Sequence, residues 1–563
     1  MKPYALGLVV GCVFTRAKFA RGSWCVRART LLGLLLAMLV GCSPGPSNRS
    51  APSGSAAETA TGRSTLSSSP NHGPQRQPAP ADIAPPVGCP FEGTREVWYA
   101  CYLDGNKIGY AYARIDRVKV KGRTLVRLQS RNRLTATRFG QTVEMLTQLT
   151  SRETPAGRLV DFVEIQQLGP TPTRIEARTE NERLVIKRTS GGKTRAVFLP
   201  WSESDGGHQA MEFSLLANPM KPGETRNLRT LISNLNQVAT VRLVASGFEP
   251  TQLLHGTHRL LRIDTTTWFE DGHVTEGTIW IDEKGEMLKG QAMQIEMFRA
   301  SREKALDETD LGNVDVGLRS MILVNRRIRN PHSTKRVRYR VSLKDGDPAA
   351  TFAAGTSQRV TSVGPGLAEL TVLAVRPGQP RKIKAFKADE PTSDDLLPNS
   401  LVQSDDKRVI AMAEKATRGK ADAWSKAVAL ERYVHETVRE KTFSHALASA
   451  AEVARTGEGD CTEHAVLLAA MARAVGLPAR VAVGLVYVEQ EQEPRHAFGH
   501  HMWTEIYVDD RWIPMDATLG RGGIGAAHIK LAHSSMKDAN AMGSFVPVMN
   551  VRGRIKLEVL EIQ

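Results

Sequence analysis

Between residues 95 and 300 apolar and polar positions alternate in short runs broken by turn signals, the period-two pattern of half-buried strands. Trp98-Tyr99-Ala100-Cys101-Tyr102-Leu103 runs into Asp104-Gly105-Asn106-Lys107, and the alternation resumes at Ile108. Ser190-Gly191-Gly192-Lys193, Asp271-Gly272 and Asp282-Glu283-Lys284-Gly285 mark further tight turns. About ten such segments predict a large antiparallel sheet over 89–300, built as an open barrel or a sandwich. A connector follows over 301–336, helical near its start. Residues 337–390 read as a second, smaller β unit, with a Pro- and Asp-containing link running on toward 398.

Beyond that link, in 391–563, the period changes. Residues 405–418 and 421–441 carry apolar positions at helical spacing, with Trp424, Ala427, Val428, Tyr433, Val434 and Val438 on one stripe. A short helix at 449–453 leads into Gly457-Glu458-Gly459-Asp460-Cys461-Thr462-Glu463-His464 and an apolar run to Leu477. Asp460 and Glu463 make a capping-box pattern, while Gly476 and Pro478 supply a stop, so Cys461 falls in the first turn of a helix. There the helix macrodipole favours the thiolate, the nucleophilic form of cysteine. The helix is apolar nearly all round and is expected to be buried. A cysteine so placed is either an activated nucleophile or a small packing residue.

Residues 501–508 and 511–518 read as two strands about the turn Asp509-Asp510. A two-residue loop makes Trp503 face Asp516 and His501 face Thr518, so Asp516 becomes the diagonal neighbour of His501 on one face. A three-residue loop would put the two on opposite faces. The expected fold class is α+β and multidomain.

Gly459-Asp460-Cys461-Thr462-Glu463-His464-Ala465, Gly-Leu-Pro-Ala-Arg at 476–480, His501-Met502-Trp503 and Pro514-Met515-Asp516 occur in an order and spacing that resemble the core of the transglutaminase-like superfamily. The resemblance implies a papain-related fold and a Cys-His-Asp triad: Cys461 as nucleophile, His501 as base and Asp516 as the acid that orients it. Two positions depart from the family: Met502 stands where small residues are common, and His500 duplicates the histidine. Only His501 lies at the family's distance from Trp503, so His500 is expected at the rim or against substrate. His464, Trp503 and Glu505 are expected around the triad, with His464 beneath the thiol.

The chemistry this implies is thiol acyl transfer on an amide carbonyl through a thioester, with the Cys461 backbone N–H as part of the oxyanion hole. Water as acceptor gives a peptidase or amidase. A lysine amine gives a protein-glutamine gamma-glutamyltransferase, a cross-linker. The rival from another class is a non-catalytic binding or scaffold lipoprotein, against which the three filled triad positions argue. Cys461, His464, His496, His500 and His501 match no common zinc signature, so neither metal nor cofactor is expected. Residues 489–495, charged and aperiodic, are expected as a mobile loop at the cleft mouth.

Length and charge add the carrier. A chain of 563 residues is too long for one core. Residues 1–42 hold Lys2, Arg16, Lys18, Arg21, Arg27 and Arg29, no acid, and a short apolar run ending in Leu39-Val40-Gly41-Cys42. This is the layout of a secretory leader with a lipobox, Cys42 being the lipidated residue, and its apolar run is short for a membrane span. Residues 43–88, rich in Ser, Pro, Ala and Gly, are expected as a disordered tether. The location implied is the bacterial cell envelope, lipid-anchored, periplasmic or surface-facing. Cys89 and Cys101 are then candidates for a disulfide. The basic cluster Arg326, Arg327, Arg329, Lys335, Arg336, Arg338 and Arg340 lacks interleaved aromatics beyond Tyr339 and reads as a solvated face rather than a nucleic-acid site. The expected partners are a peptide or protein substrate and, through the lipid, a membrane.

Overall fold

The structure, a computed structural model, describes residues 79–563 apart from 233–234, 236, 271–273, 293, 310, 312–314, 345, 377–388, 444–446, 490–495 and 538–545. The leader with Cys42, the Asp271-Gly272 turn and most of the expected 489–495 loop therefore lie outside the described residues. No helix among the described residues is long and apolar enough to cross a membrane.

Fifteen strands between Arg95 and Arg299 form one sheet. Its first eight run as an antiparallel meander from Arg95–Leu103 out to the edge strand Lys193–Pro200. Arg95–Leu103 also pairs with the last strand, Ile295–Arg299, with Tyr99 opposite Arg299, so two meanders meet in mid-sheet. At the far edge Asp205–Gly206 lies parallel to Thr225–Ile232. The two edge strands share no ladder. The large antiparallel sheet expected over 89–300 is therefore present as one sheet, not closed into a barrel among the described residues. A short helix, Ala210–Ala217, packs Phe213 among Ile115, Leu128, Phe162 and Ile186 from the strands.

The described end of the expected tether is laid on this sheet. Ala84 N–H donates to Asn227 O at 2.8 Å, and Asn227 Nδ2 donates to Asp82 O at 2.9 Å. The expected disulfide does not form: Cys89 and Cys101 are both free thiols. Cys101 belongs to the central apolar cluster, whereas Cys89 packs against the separate cluster around Phe213. Burial pushes the Cys101 thiol up to about 12.

A smaller sheet orders its strands as Gln358–Gly364, Leu367–Leu373, Arg336–Leu343 and Ile555–Ile562. The unit expected at 337–390 thus takes its fourth strand from the end of the chain. Two of the seven residues of the basic cluster sit here in cross-strand pairs, Arg338 with Glu369 and Glu561, Arg340 with Glu369 and Glu558. Within the connector the helix Arg302–Leu306 is capped by Ser301, and Ile322–Leu323 joins the edge of the third sheet.

That third sheet contains Ala497–Val508, Ala479–Val488 and His528–Ser534, with Arg511–Met515 paired on Ala497–Val508. Helices Lys407–Thr417, Ala423–Thr437 and Ala450–Thr456 surround a fourth, Cys461–Ala474, in which Cys461 through Arg473 are all buried. Asp406 and Asp422 cap the first two through their carboxylates. One apolar cluster runs from Val97 and Leu134 through Tyr339 to Leu467, Ile506 and Val559. The large sheet and the helical unit therefore share a core.

Truncating the side chain that the short helix buries, Phe213→Ala, is expected to lower stability by about 3–5 kcal/mol, the range for a fully buried aromatic. Denaturant melts followed by tryptophan fluorescence check it, and a loss below about 1 kcal/mol would show that Phe213 is dispensable to the sheet.

Candidate active site

The helix Cys461–Ala474 begins as its sequence dictates. Asp460 Oδ1 accepts from Thr462 N at 2.8 Å and from Thr462 Oγ1 at 3.0 Å, and Glu463 Oε2 accepts from Asp460 N at 3.0 Å, completing the capping box. These bonds satisfy donors that a buried helix end cannot give to water. Glu463 Oε1 also accepts from Ala448 N at 2.9 Å, tying the helix start to the preceding loop. Burial, followed by the Asp460 charge, raises the Glu463 carboxyl. His464 Nδ1 donates to Asp460 O at 2.6 Å, and burial pushes its ring down to about 4, so it sits neutral one turn into the helix. Cys461 is 1% exposed.

The strand pair beside the helix has the tight turn that the register needed. Val508 pairs with Arg511, and Asp509 and Asp510 take φ of 51° and 60°, the left-handed pair of a two-residue hairpin. Thr504 then lies opposite Met515, and the chain beyond delivers Asp516 and Thr518 beside His501. His501 Nε2 donates to Asp516 Oδ2 at 2.8 Å, and Thr518 Oγ1 lies 3.4 Å from the same nitrogen. Asp516 Oδ1 accepts from Thr518 N at 2.9 Å and from the Thr518 hydroxyl. Burial alone would raise the Asp516 carboxyl; the His501 and His528 imidazoles outweigh it and hold it well below the usual carboxylate range.

Helix and dyad meet through the same strand. Thr504 Oγ1 donates to Ala465 O at 2.9 Å, one turn into the helix, and the Asp516 charge is felt at His464. Alternation along Ala497–Val508 puts His500, Met502 and Thr504 on one face of the strand and His501, Trp503 and Glu505 on the other. His500, expected at the rim, is buried. Neither of its ring nitrogens has a hydrogen-bond partner among the described residues, and burial pushes it down to about 3. Glu505 is a buried ion-pair centre rather than a rim residue: its carboxylate sits between Arg480 Nε at 2.8 Å and Lys530 Nζ at 2.7 Å. Those two cations overcome the burial that would raise it, and it lies near about 2. Trp503 is buried, its ring 6.3 Å from His501 and 5.4 Å from His528. Gly484, paired with His501, leaves room for that indole, since a Cβ there would come within 2.9 Å of it.

Two residues were not expected from the sequence. His528 Nε2 donates to Asp516 Oδ2 at 3.1 Å, so one carboxylate oxygen serves two imidazoles. Glu431, in the helix Ala423–Thr437, accepts from Asp516 N at 2.9 Å and from Gly522 N at 2.6 Å, fixing the backbone on both sides of the Asp516 turn. Burial raises Glu431 to about 8 against those bonds. No local motif marks either residue; His528 is one alternating position in a strand, and Glu431 one polar residue in a helix. Donor atoms of His501, Asp516 and His528 all lie within 4.8 Å of one another, close enough to share an ion; as described, Asp516 Oδ2 accepts one hydrogen bond from each imidazole.

Residues 410–517, the stretch that holds Glu431, Cys461, His501 and Asp516, match the model of the Transglutaminase-like superfamily, so this part of the chain is a transglutaminase-like core. Among solved structures, the chain is similar to a putative cysteine protease from Cytophaga hutchinsonii at 17% identity, covering 41% of this chain and 89% of that one, with a TM-score of 0.26. A β-barrel-like protein of a domain of unknown function from Brucella abortus matches at 12% identity over 38% of this chain and 96% of its own, TM-score 0.27. A structure described as a TGase matches at 13% identity over 45% and 65%, TM-score 0.16. Scores this low do not establish a common fold. None of the curated proteins matches the chain.

Glu431 gives a pH signature. Its folded value of about 8 lies above the ordinary 4.5, so between those values the folded chain holds a proton that the unfolded chain has released. Its contribution to stability is therefore full below about pH 4.5 and is lost as pH rises toward 8. Glu431→Gln should flatten that part of the curve when denaturant melts are compared at pH 5 and pH 8; an unchanged slope would contradict a proton held on Glu431.

Proposed function

We propose that the chain is an exported, lipid-anchored thiol enzyme that opens amide bonds of peptides or proteins through a Cys461 thioester. The observation that supports this most is the His501–Asp516 bond on a strand packed against the helix that Cys461 begins. A carboxylate accepts only, so His501 carries its proton on Nε2, and Nδ1 is the nitrogen that takes the thiol proton. The resulting imidazolium is steadied by Asp516. The reacting species is the reduced thiol, placed in the first turn, where the helix dipole favours the thiolate. After attack on the carbonyl, the Cys461 backbone N–H stabilises the oxyanion. The amine leaves with the proton from His501, and water then releases the acyl group. The transglutaminase-like core agrees with a cysteine enzyme of this kind. The leader-like pattern of residues 1–42, ending in Cys42, supports a location in the cell envelope.

After reduction, incubation with a glutamine-containing peptide and a labelled primary amine separates the acceptors. Ammonia or a new amino terminus reports hydrolysis, and label incorporation reports amine transfer. Hydrolysis is the expected outcome. Cys461→Ala should abolish the reaction with the melting curve unchanged, and Asp516→Asn should lower the rate by roughly 10²–10⁴ through the wrong His501 tautomer. Activity surviving in Cys461→Ala would sink the proposal. For the anchor, Cys42→Ser should move the protein from the membrane to the soluble fraction of a bacterial host; membrane recovery unaffected by the change would contradict lipidation there.

A further inference from the structure

The strands Arg123–Arg138 and Gln141–Glu153 of the large sheet end in a hairpin whose tip reaches the catalytic helix. Phe139 and Gly140 turn the chain with φ of 48° and 79°, and their N–H groups donate to Asp315 Oδ1 and Oδ2 at 3.1 and 2.9 Å. Gln141 Oε1 accepts from Phe443 N at 2.6 Å, and the Phe139 and Phe443 rings lie 5.1 Å apart. Between these anchors Arg138 passes its guanidinium 5.3 Å from the Phe443 ring and donates through Nη2 to Asp460 Oδ2. Side-chain exposure is 0% for Arg138 and 2% for Asp460, so this is a fully buried ion pair between two units of the fold.

Capping does not require it. Asp460 Oδ1 alone satisfies Thr462 N, and an asparagine or serine would cap as well without burying a charge. A buried carboxylate without a cation is strongly unfavourable, and an anion next to Cys461 opposes thiolate formation. The other charged or titratable groups at this end are Glu463, raised by burial, and His464, lowered by burial, with His501 and Asp516 on the neighbouring strand and Lys441 near His464. Arg138 is the cation bonded to Asp460.

We propose that Arg138, supplied by the amino-terminal sheet, is a positioning residue for the Cys461 nucleophile, cancelling the charge of the cap carboxylate and fixing the start of the catalytic helix. This rests on the reading of Cys461 as a nucleophile. It gives the large sheet a part in the reaction beyond that of a carrier, because residues 391–563 alone lack the cation.

The test is the pH dependence of iodoacetamide alkylation of Cys461 in the reduced full-length chain, compared across Arg138→Gln, Arg138→Lys and the double variant Arg138→Gln/Asp460→Asn. Arg138→Gln should move the midpoint upward by about one pH unit, roughly tenfold less thiolate near neutrality. Arg138→Lys should keep most of the wild-type profile. The double variant should return toward wild type, since the asparagine amide oxygen still caps the helix and no lone carboxylate remains. If folded Arg138→Gln titrates like wild type, or if the double variant is displaced as far as the single one, the proposal is overturned. Should Arg138→Gln fail to fold, the lysine and double variants carry the comparison. Failure of the nucleophile reading shows separately: the wild-type thiol would then resist alkylation until unfolding, before any Arg138 variant is compared.

Discussion

A helix that is buried from its first residue to its last turn must find partners for its leading N–H groups inside the protein, since water cannot reach them. At Cys461 that requirement is met by Asp460 and Glu463, each a carboxylate in the interior. Burying acids creates a second requirement, for a cation or a proton. Arg138 supplies the cation to Asp460, and burial leaves Glu463 with its carboxyl raised. The route of the amino-terminal hairpin, the loop at Ala448 and the start of the helix are consequences of one unmet need for hydrogen bonds.

The same logic runs through the third sheet. Its centre holds Asp516 and Glu505, both fully enclosed, and each is matched by two neighbours of the opposite tendency: His501 and His528 for the first, Arg480 and Lys530 for the second. The two sites differ in kind. Lysine and arginine give Glu505 permanent charge, so that pair holds structure together at any ordinary pH. Two imidazoles give Asp516 hydrogen-bond donors without permanent charge, the kind of partner that the proposed proton transfer needs. Glu431 stands behind it, gripping the backbone at Asp516 and Gly522 so that the carboxylate does not drift from His501.

His500 and His501 show how little the residue type decides by itself. They are neighbours with the same side chain, and a half-turn of the strand sends one into the apolar core and the other onto Asp516. Spacing from Trp503 picked out His501, the one that meets Asp516, because the period of a strand is fixed by its backbone. The depth of His500 was not readable, since nothing local says that this position, beside Leu485 of the adjacent strand, is enclosed. Cys89 and Cys101 teach the converse: a plausible spacing for a disulfide means nothing when the two residues pack into different apolar clusters.

Local signals in the chain specified the helix from Cys461, its cap, its stop and a turn at Asp509-Asp510, while the structure decided that this turn has two residues and so brings His501 to Asp516. All are short-range consequences of backbone geometry and capping chemistry. Tertiary structure alone decided that His528 shares Asp516, that Glu431 braces it, that the last strand of the chain closes the small sheet, and that Arg138 reaches Asp460. Each of those pairs residues distant in sequence, and which of many similar side chains meet is set by the packing of whole elements, for which a linear pattern carries no mark.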